Sequence, residues 1–176
     1  YYVSSFKAQW KQVFERILLQ TIPGMQIEKL EYNHDPYDHR VALQLTVKYT
    51  IPEFALITEE EVIFTPLLAQ KLFYTYGMND QYYIETSLEE RKHQFRTRCS
   101  KLAEISEEIK LPKHKKALYV PEVETVKGSG ADFTGGYTLK GRTLKLSEKL
   151  VLKKRIYNPE DWASYRSSVM AQEKLS

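Results

Sequence analysis

Residues 41–51 read VALQLTVKYTI. Val41, Leu43, Leu45, Val47, Tyr49 and Ile51 alternate with Ala42, Gln44, Thr46, Lys48 and Thr50. In a strand, successive side chains point to opposite faces, so this run predicts an antiparallel strand with one buried and one wet face. Pro52 closes it, because proline has no N–H to give to a ladder. Towards the N-terminus, residues 25–32 make a partner strand, joined through Asn33, His34, Asp35, Pro36, Tyr37 and Asp38. Earlier still the period changes to that of a helix. Phe6, Trp10, Val13, Phe14, Ile17 and Leu18 form one stripe, with Ser4 or Ser5 as cap and Pro23-Gly24 as stop. The stripe is read as covering the protein's own sheet, in preference to a partner helix or a membrane surface.

Towards the C-terminus the reading stays largely β. Residues 61–65 suit a strand. Residues 67–76 suit either a short helix (Leu67, Leu68, Leu72, Phe73) or a strand (Phe73, Tyr74, Tyr76). Ala103, Ile105, Ile109 and Leu111 alternate with Glu104, Ser106, Glu108 and Lys110 until Pro112. A short strand over residues 117–120 ends at Pro121, and Lys127-Gly128-Ser129-Gly130 is a loop. Lys140-Gly141 turns a hairpin into a long return strand, whose Leu144, Leu146, Leu150 and Leu152 oppose Lys145, Ser147, Lys149 and Lys153. Asn158-Pro159-Glu160-Asp161 starts a helix that points Trp162, Tyr165 and Val169 one way. The expected fold is mainly β, an antiparallel β-sandwich with an N-terminal and a C-terminal amphipathic helix. Two segments are expected: residues 1–86, helix plus β-rich, and residues 87–176, β-rich and ending in a helix. The alternative is one continuous sandwich.

Composition bounds the rest. The chain has 176 residues, 42% hydrophobic and 28% charged, the balance of a folded domain able to bury a core without staples. Its apolar runs are too short for a membrane-spanning helix. A net charge of +3 is too weak to argue for nucleic acid. One cysteine cannot make an internal disulfide. The opening Tyr1-Tyr2-Val3 lacks a Met and a signal peptide, so the chain is expected to be a piece of a longer protein.

No chemistry converges in the sequence. Cys99, His114 and Asp132 occur in the order of a cysteine triad, and the cations around Cys99 would favour its thiolate. Yet Cys99 lies on a polar strand edge and His114 in the basic loop Lys113-His114-Lys115-Lys116, so no catalytic residue is expected. His34, Asp35, Asp38 and His39 crowd into one segment, but zinc needs more converging ligands and calcium a glycine at the bend. That segment reads as a turn, and neither a metal nor a cofactor is expected. Basic runs at residues 91–98, 110–116 and 149–155 are balanced by Glu89, Glu90, Glu104, Glu107, Glu108, Glu148, Glu160 and Asp161, as on a solvated strand face. Phosphate-loop, dinucleotide, serine-elbow and HExxH motifs are lacking. Tyr74, Tyr76, Tyr82 and Tyr83 remain as a candidate platform for a glycan or peptide, tyrosine offering apolar area with a polar tip. Strand propensity explains the same cluster without a ligand.

Several stretches carry a family likeness. They are residues 91–95, Ile109-Lys110-Leu111-Pro112, Tyr119-Val120-Pro121, residues 144–156 and Tyr157-Asn158-Pro159-Glu160-Asp161-Trp162. These resemble the C-terminal domain of unknown function that follows a transglutaminase-like domain in exported bacterial proteins. Asp35-Pro36-Tyr37, residues 47–55 and Phe64-Thr65-Pro66 resemble the β-rich segment before it. The resemblance implies a parent with an N-terminal β-domain and a papain-like Cys-His-Asp enzyme domain, both upstream of Tyr1. None of the family's catalytic residues is matched, and Cys99 does not occupy the nucleophile's setting. It implies a non-catalytic accessory domain that positions or supports the enzyme domain of its own chain. Its address would be periplasmic or at the cell surface, with no nucleic-acid partner and no membrane span.

Overall fold

Val13, Phe14, Ile17 and Leu18 are the partly buried stripe of helix α1 (Trp10–Thr21), flanked by exposed Lys11, Gln12 and Arg16. The Ile22 N–H still reaches the Leu18 carbonyl at 2.8 Å, closing the last turn. The structure is a computed structural model. It describes residues 9–22, 24–33, 38, 40–69, 86–97, 100–115 and 119–175, with Trp10 and Thr21 described by backbone alone. The expected caps Ser4 and Ser5 lie outside the described residues.

The chain divides into two compact units, Tyr1–Phe54 and Ala55–Ser176. In the first, α1 precedes the antiparallel strands β1 (Gln26–Tyr32) and β2 (Leu45–Thr50). The apolar residues of β1, Ile27, Leu30 and Tyr32, break strict alternation by one residue. A β-bulge absorbs it: the register jumps between Ile27 and Lys29, so Ile27 faces Tyr49, Leu30 faces Val47 and Tyr32 faces Leu45. The long strand expected from residue 41 begins at Leu45, where β1 runs out of partners. Val41 and Leu43 therefore stay exposed.

The second unit holds two short pairs and one larger sheet. β3 (Leu56–Ile57) pairs with β4 (Val62–Ile63), and β5 (Phe95–Arg96) with β9 (Ile156–Tyr157). The sheet has the order β6-β8-β7, made of β6 (Lys101–Lys110), β7 (Ala131–Lys140) and β8 (Thr143–Leu152). β7 and β8 form the expected hairpin, with Lys140 opposite Thr143 and Gly141 at φ +61° in the turn, a conformation that favours glycine. A single 3₁₀ turn (Pro159–Asp161) leads into helix α2 (Trp162–Glu173). The Asn158 N–H donates to the Asp161 carboxylate at 3.0 Å, which fixes the helix start that Asn-Pro-Glu-Asp announces.

The core of this unit lies between the sheet and α2. Phe133, Leu146 and Leu150 meet Trp162, Tyr165, Val169, Ala171 and Leu175, with Phe95 and Tyr157 in the same cluster. The chain is thus mainly β, with antiparallel sheets and two helices, and the sheets are small and unclosed. Tyr119 and Val120, expected in a strand, belong to none, and residues 117–118 lie outside the described residues. Among the described residues no helix is long and apolar enough to cross a membrane.

Candidate functional site

The two faces of β8 differ in kind. Outward, Lys149 meets Glu104 at 2.7 Å and Lys145 meets Glu108 at 3.7 Å, cross-strand pairs on a wet surface as the charge balance predicts. Inward run Leu144, Leu146, Glu148, Leu150 and Leu152, all buried. The sequence reading counted Asp161 and Glu148 among the solvated acids; Asp161 is fully buried, and so, on this inner face, is Glu148. Its position is in phase with the four leucines, and period two carries it inside.

The register puts Ile105 and Gly135 beside Glu148, and Glu107 and Tyr137 beside Leu146 one step along. Glu148 is 2% exposed, and neither of its carboxylate oxygens meets a hydrogen-bond partner. Burial first, then the charge of Glu107, push its carboxyl up to about 7. Glu107 is better served: its carboxylate accepts the Leu67 N–H at 3.2 Å and the Leu68 N–H at 2.9 Å. The Tyr137 hydroxyl donates to the Leu175 carbonyl at 2.8 Å. Burial, then the carboxyls of Glu148 and Glu107, push that phenol up to about 12. Gly135 is required by close approach, since a Cβ there would lie 2.6 Å from Leu175 Cδ1 and 2.9 Å from Phe133 Cζ.

Tyr137, Leu144 and Leu175 also line a cavity of about 580 Å³. Its other walls are residues 60–66, Leu111, Pro112, His114, Lys115 and residues 119–121. The volume falls in the range of roughly 300–1,000 Å³ typical of small-ligand sites. Leu111 and Leu144 give an apolar interior, while Tyr119, 81% exposed, and the basic pair His114 and Lys115 sit at its edge. His114 has φ +67° in the turn that the Lys115 N–H closes onto the Pro112 carbonyl at 3.3 Å. A non-glycine residue in that conformation is strained, a feature that clusters at binding sites.

The structure brings few of the sequence candidates together. Tyr74, Tyr76, Tyr82, Tyr83 and Cys99 lie outside the described residues. His114 lines the cavity. Asp132 is occupied elsewhere, 2.9 Å from Lys153 and accepting the Gly128 N–H at 3.0 Å, and Lys153 first, then that N–H, hold its carboxyl below the usual range against burial. In the 33–39 segment, the described Asp38 forms a two-pronged pair with Arg40 at 2.8 and 2.9 Å. Among the described residues no three His, Cys, Asp or Glu side chains are placed to hold a metal ion. Sequence reasoning missed Glu148, Glu107 and Tyr137. Two of them were signalled by phase, Glu148 among the leucines of β8 and Glu107 between Ile105 and Ile109 of β6.

A family model described as a domain of unknown function with a solved structure (DUF3858) matches residues 60–174, which lie within the second compact unit and include most of the cavity wall. None of the curated proteins and none of the solved structures matches the chain.

Proposed function

We propose, from the premise that the chain belongs to the DUF3858 family, that it is a non-catalytic accessory module of a larger, exported transglutaminase-like protein. It positions or supports the enzyme domain of the same polypeptide, at a periplasmic or surface address. The observation that carries this reading is the β3–β4 hairpin. Leu56 and Ile63 face each other across it while 64% and 55% exposed, and Ile57 is 71% exposed. Apolar side chains gathered on so short a sheet suit a surface that packs on another domain. The same proposal keeps a two-layer sandwich as the finer architecture. Its support is that Phe95 of β5 and Tyr157 of β9 share one core with Phe133, Leu146 and Leu150 of the larger sheet.

The test mixes the whole chain with the transglutaminase-like domain encoded in the same reading frame and measures association by calorimetry. The wild type binds, and the double change Leu56→Asp, Ile63→Asp weakens binding at least about tenfold without lowering the melting temperature. Absence of binding, or equal binding by the double variant, removes the reading. A hydrolase or acyl-transfer activity of the chain that disappears in Cys99→Ala overturns its non-catalytic part.

The cavity favours a second reading, a module that binds a glycan or a peptide. Tyr119 and Tyr137 supply aromatic area there. Arrays of glycans and peptides should then give hits that Tyr119→Ala weakens. Hits weakened instead by Tyr74→Ala and Tyr82→Ala assign the ligand to the tyrosines of residues 74–83.

A further inference from the structure

Two carboxyls share the inner face of the three-stranded sheet, and they are unequally provided for. Glu107 on β6 is held by two backbone N–H donors. Glu148 on β8 has none, although it is 2% exposed. An ionised carboxylate in that position would forfeit its hydration and gain nothing in exchange. Among the described residues, its neighbours on the sheet follow from the register. β6 brings Ile105 and Glu107, and β7 brings Gly135 and Tyr137. The buried residues of α2, Trp162, Tyr165, Ser168, Val169, Ala171 and Gln172, carry no charge, and neither does Leu175 beyond it. Among the described residues no cation is paired with either carboxyl. A carboxyl denied hydration beside a second carboxyl on the same sheet face is relieved by a proton.

We propose that Glu148 and Glu107 form a carboxyl pair that holds one proton, seated on Glu148, and that losing the proton releases the 66–69 turn and with it one wall of the cavity. The route is short. The N–H groups that Glu107 holds belong to Leu67 and Leu68, which directly follow the cavity-lining segment 60–66. The same turn is pinned by the Ala69 N–H to the Pro66 carbonyl at 3.2 Å, and by the Gln172 side-chain amide to the Ala69 carbonyl at 2.7 Å. With the proton in place, a neutral Glu148 sits among leucines at little cost, and Glu107 keeps its grip on the turn. When a base removes it, a buried and a half-buried negative charge repel. Glu107, half-buried where Glu148 is buried, lies nearer water, and moving it breaks the two bonds it accepts. The link to the cavity rests on the ligand-binding reading; the proton on Glu148 does not.

Carbon-13 NMR of the glutamate carboxyls in the whole chain tests the proton directly. Glu148 should titrate with a midpoint above pH 6, and a midpoint below pH 5 overturns the proposal. Hydrogen exchange then tests the coupling. After correction for intrinsic base catalysis, the Leu67 and Leu68 amides should exchange at least about tenfold faster at pH 8 than at pH 6. Glu148→Gln, which cannot titrate, should abolish that change; a change that persists in the variant sinks the coupling. Should Glu148→Gln not fold, Glu107→Gln serves, and it should lower the Glu148 midpoint by at least half a pH unit, about threefold or more in the proton-binding constant. An unmoved midpoint disproves the pairing. If no ligand is found at any pH while the midpoint stays high, the cavity reading fails and the carboxyl pair stands.

Discussion

Asp161 and Glu148 are both buried carboxyls, and the structure treats them in opposite ways. Asp161 is fully buried but lies 2.7 and 2.9 Å from the Lys154 ammonium and accepts the Asn158 N–H. Burial raises its proton affinity, yet Lys154, Ser129 and the Asn158 N–H together hold it below the usual carboxylate range. A depressed folded value contributes stability that is present above the unfolded value near pH 3.9 and is lost as pH falls through the folded one. Glu148 has the reverse sign. Its native form holds the proton up to about pH 7 while the unfolded chain releases it near 4.5, so stability declines as pH rises across that window. The two substitutions should therefore differ in direction at pH 8. Asp161→Ala strands Lys154 and the Asn158 N–H and should cost about 2–3 kcal/mol in urea denaturation. Glu148→Met, an apolar side chain of similar length between leucines, should gain on the order of 1 kcal/mol at pH 8 and little at pH 4. A loss on Glu148→Met at pH 8 would mean that the carboxylate has a partner.

At the scale of elements, the short pair β5–β9 is held by rings more than by its ladder. Phe95 stacks on Tyr157 at 4.7 Å, and both meet Tyr165 edge-on at 5.1 and 5.3 Å. Arg91 lies 4.9 Å from the Phe95 centroid and 4.5 Å from that of Trp162. Removing the central ring with Phe95→Ala should cost roughly 3–4 kcal/mol and reduce the near-ultraviolet circular dichroism of the cluster. Gly141→Val, by contrast, strains only the β7–β8 turn and should cost about 1 kcal/mol. Periodicity made α1, β6 and β8 legible, because each shows a clean face over many residues, while the Lys140-Gly141 turn marked the hairpin and Asn158-Pro159-Glu160-Asp161 marked the start of α2. It overshot at Val41 and Leu43, where pattern continues but the partner strand has ended at Tyr32. It could not see β5–β9, since two residues carry no period and Phe95 meets Tyr157 across more than sixty residues of chain. Glu148 was misread because its charge was weighed and its phase was not. The cavity was invisible for a related reason: its walls come from four separated stretches that only the fold assembles.

At the scale of the molecule, the described core residues of the second unit, from Ala69 to Leu175, all follow Ala55. The family match begins at residue 60, inside the same unit. Helix α2 reaches back over this stretch through polar bonds, with Trp162 Nε1 to the Leu88 carbonyl at 3.0 Å, Arg166 Nε to the Thr86 carbonyl at 2.8 Å and Gln172 to Ala69. Each side-chain bond of this kind contributes about 0.5–1.5 kcal/mol, and together they join the loops to the sheet in one cooperative body. Residues 55–176 expressed alone should therefore melt in a single transition with the near-ultraviolet spectrum of the Phe95–Trp162 cluster intact. Trp162→Phe in that fragment removes the bond to Leu88 along with part of a ring, and should lower its stability by about 2 kcal/mol without dividing the transition. Two resolved transitions in the fragment would instead show that the α2 side-chain bonds do not couple the loops to the sheet. Such decoupling would leave the 66–69 turn with only Glu107 to fix it against β6.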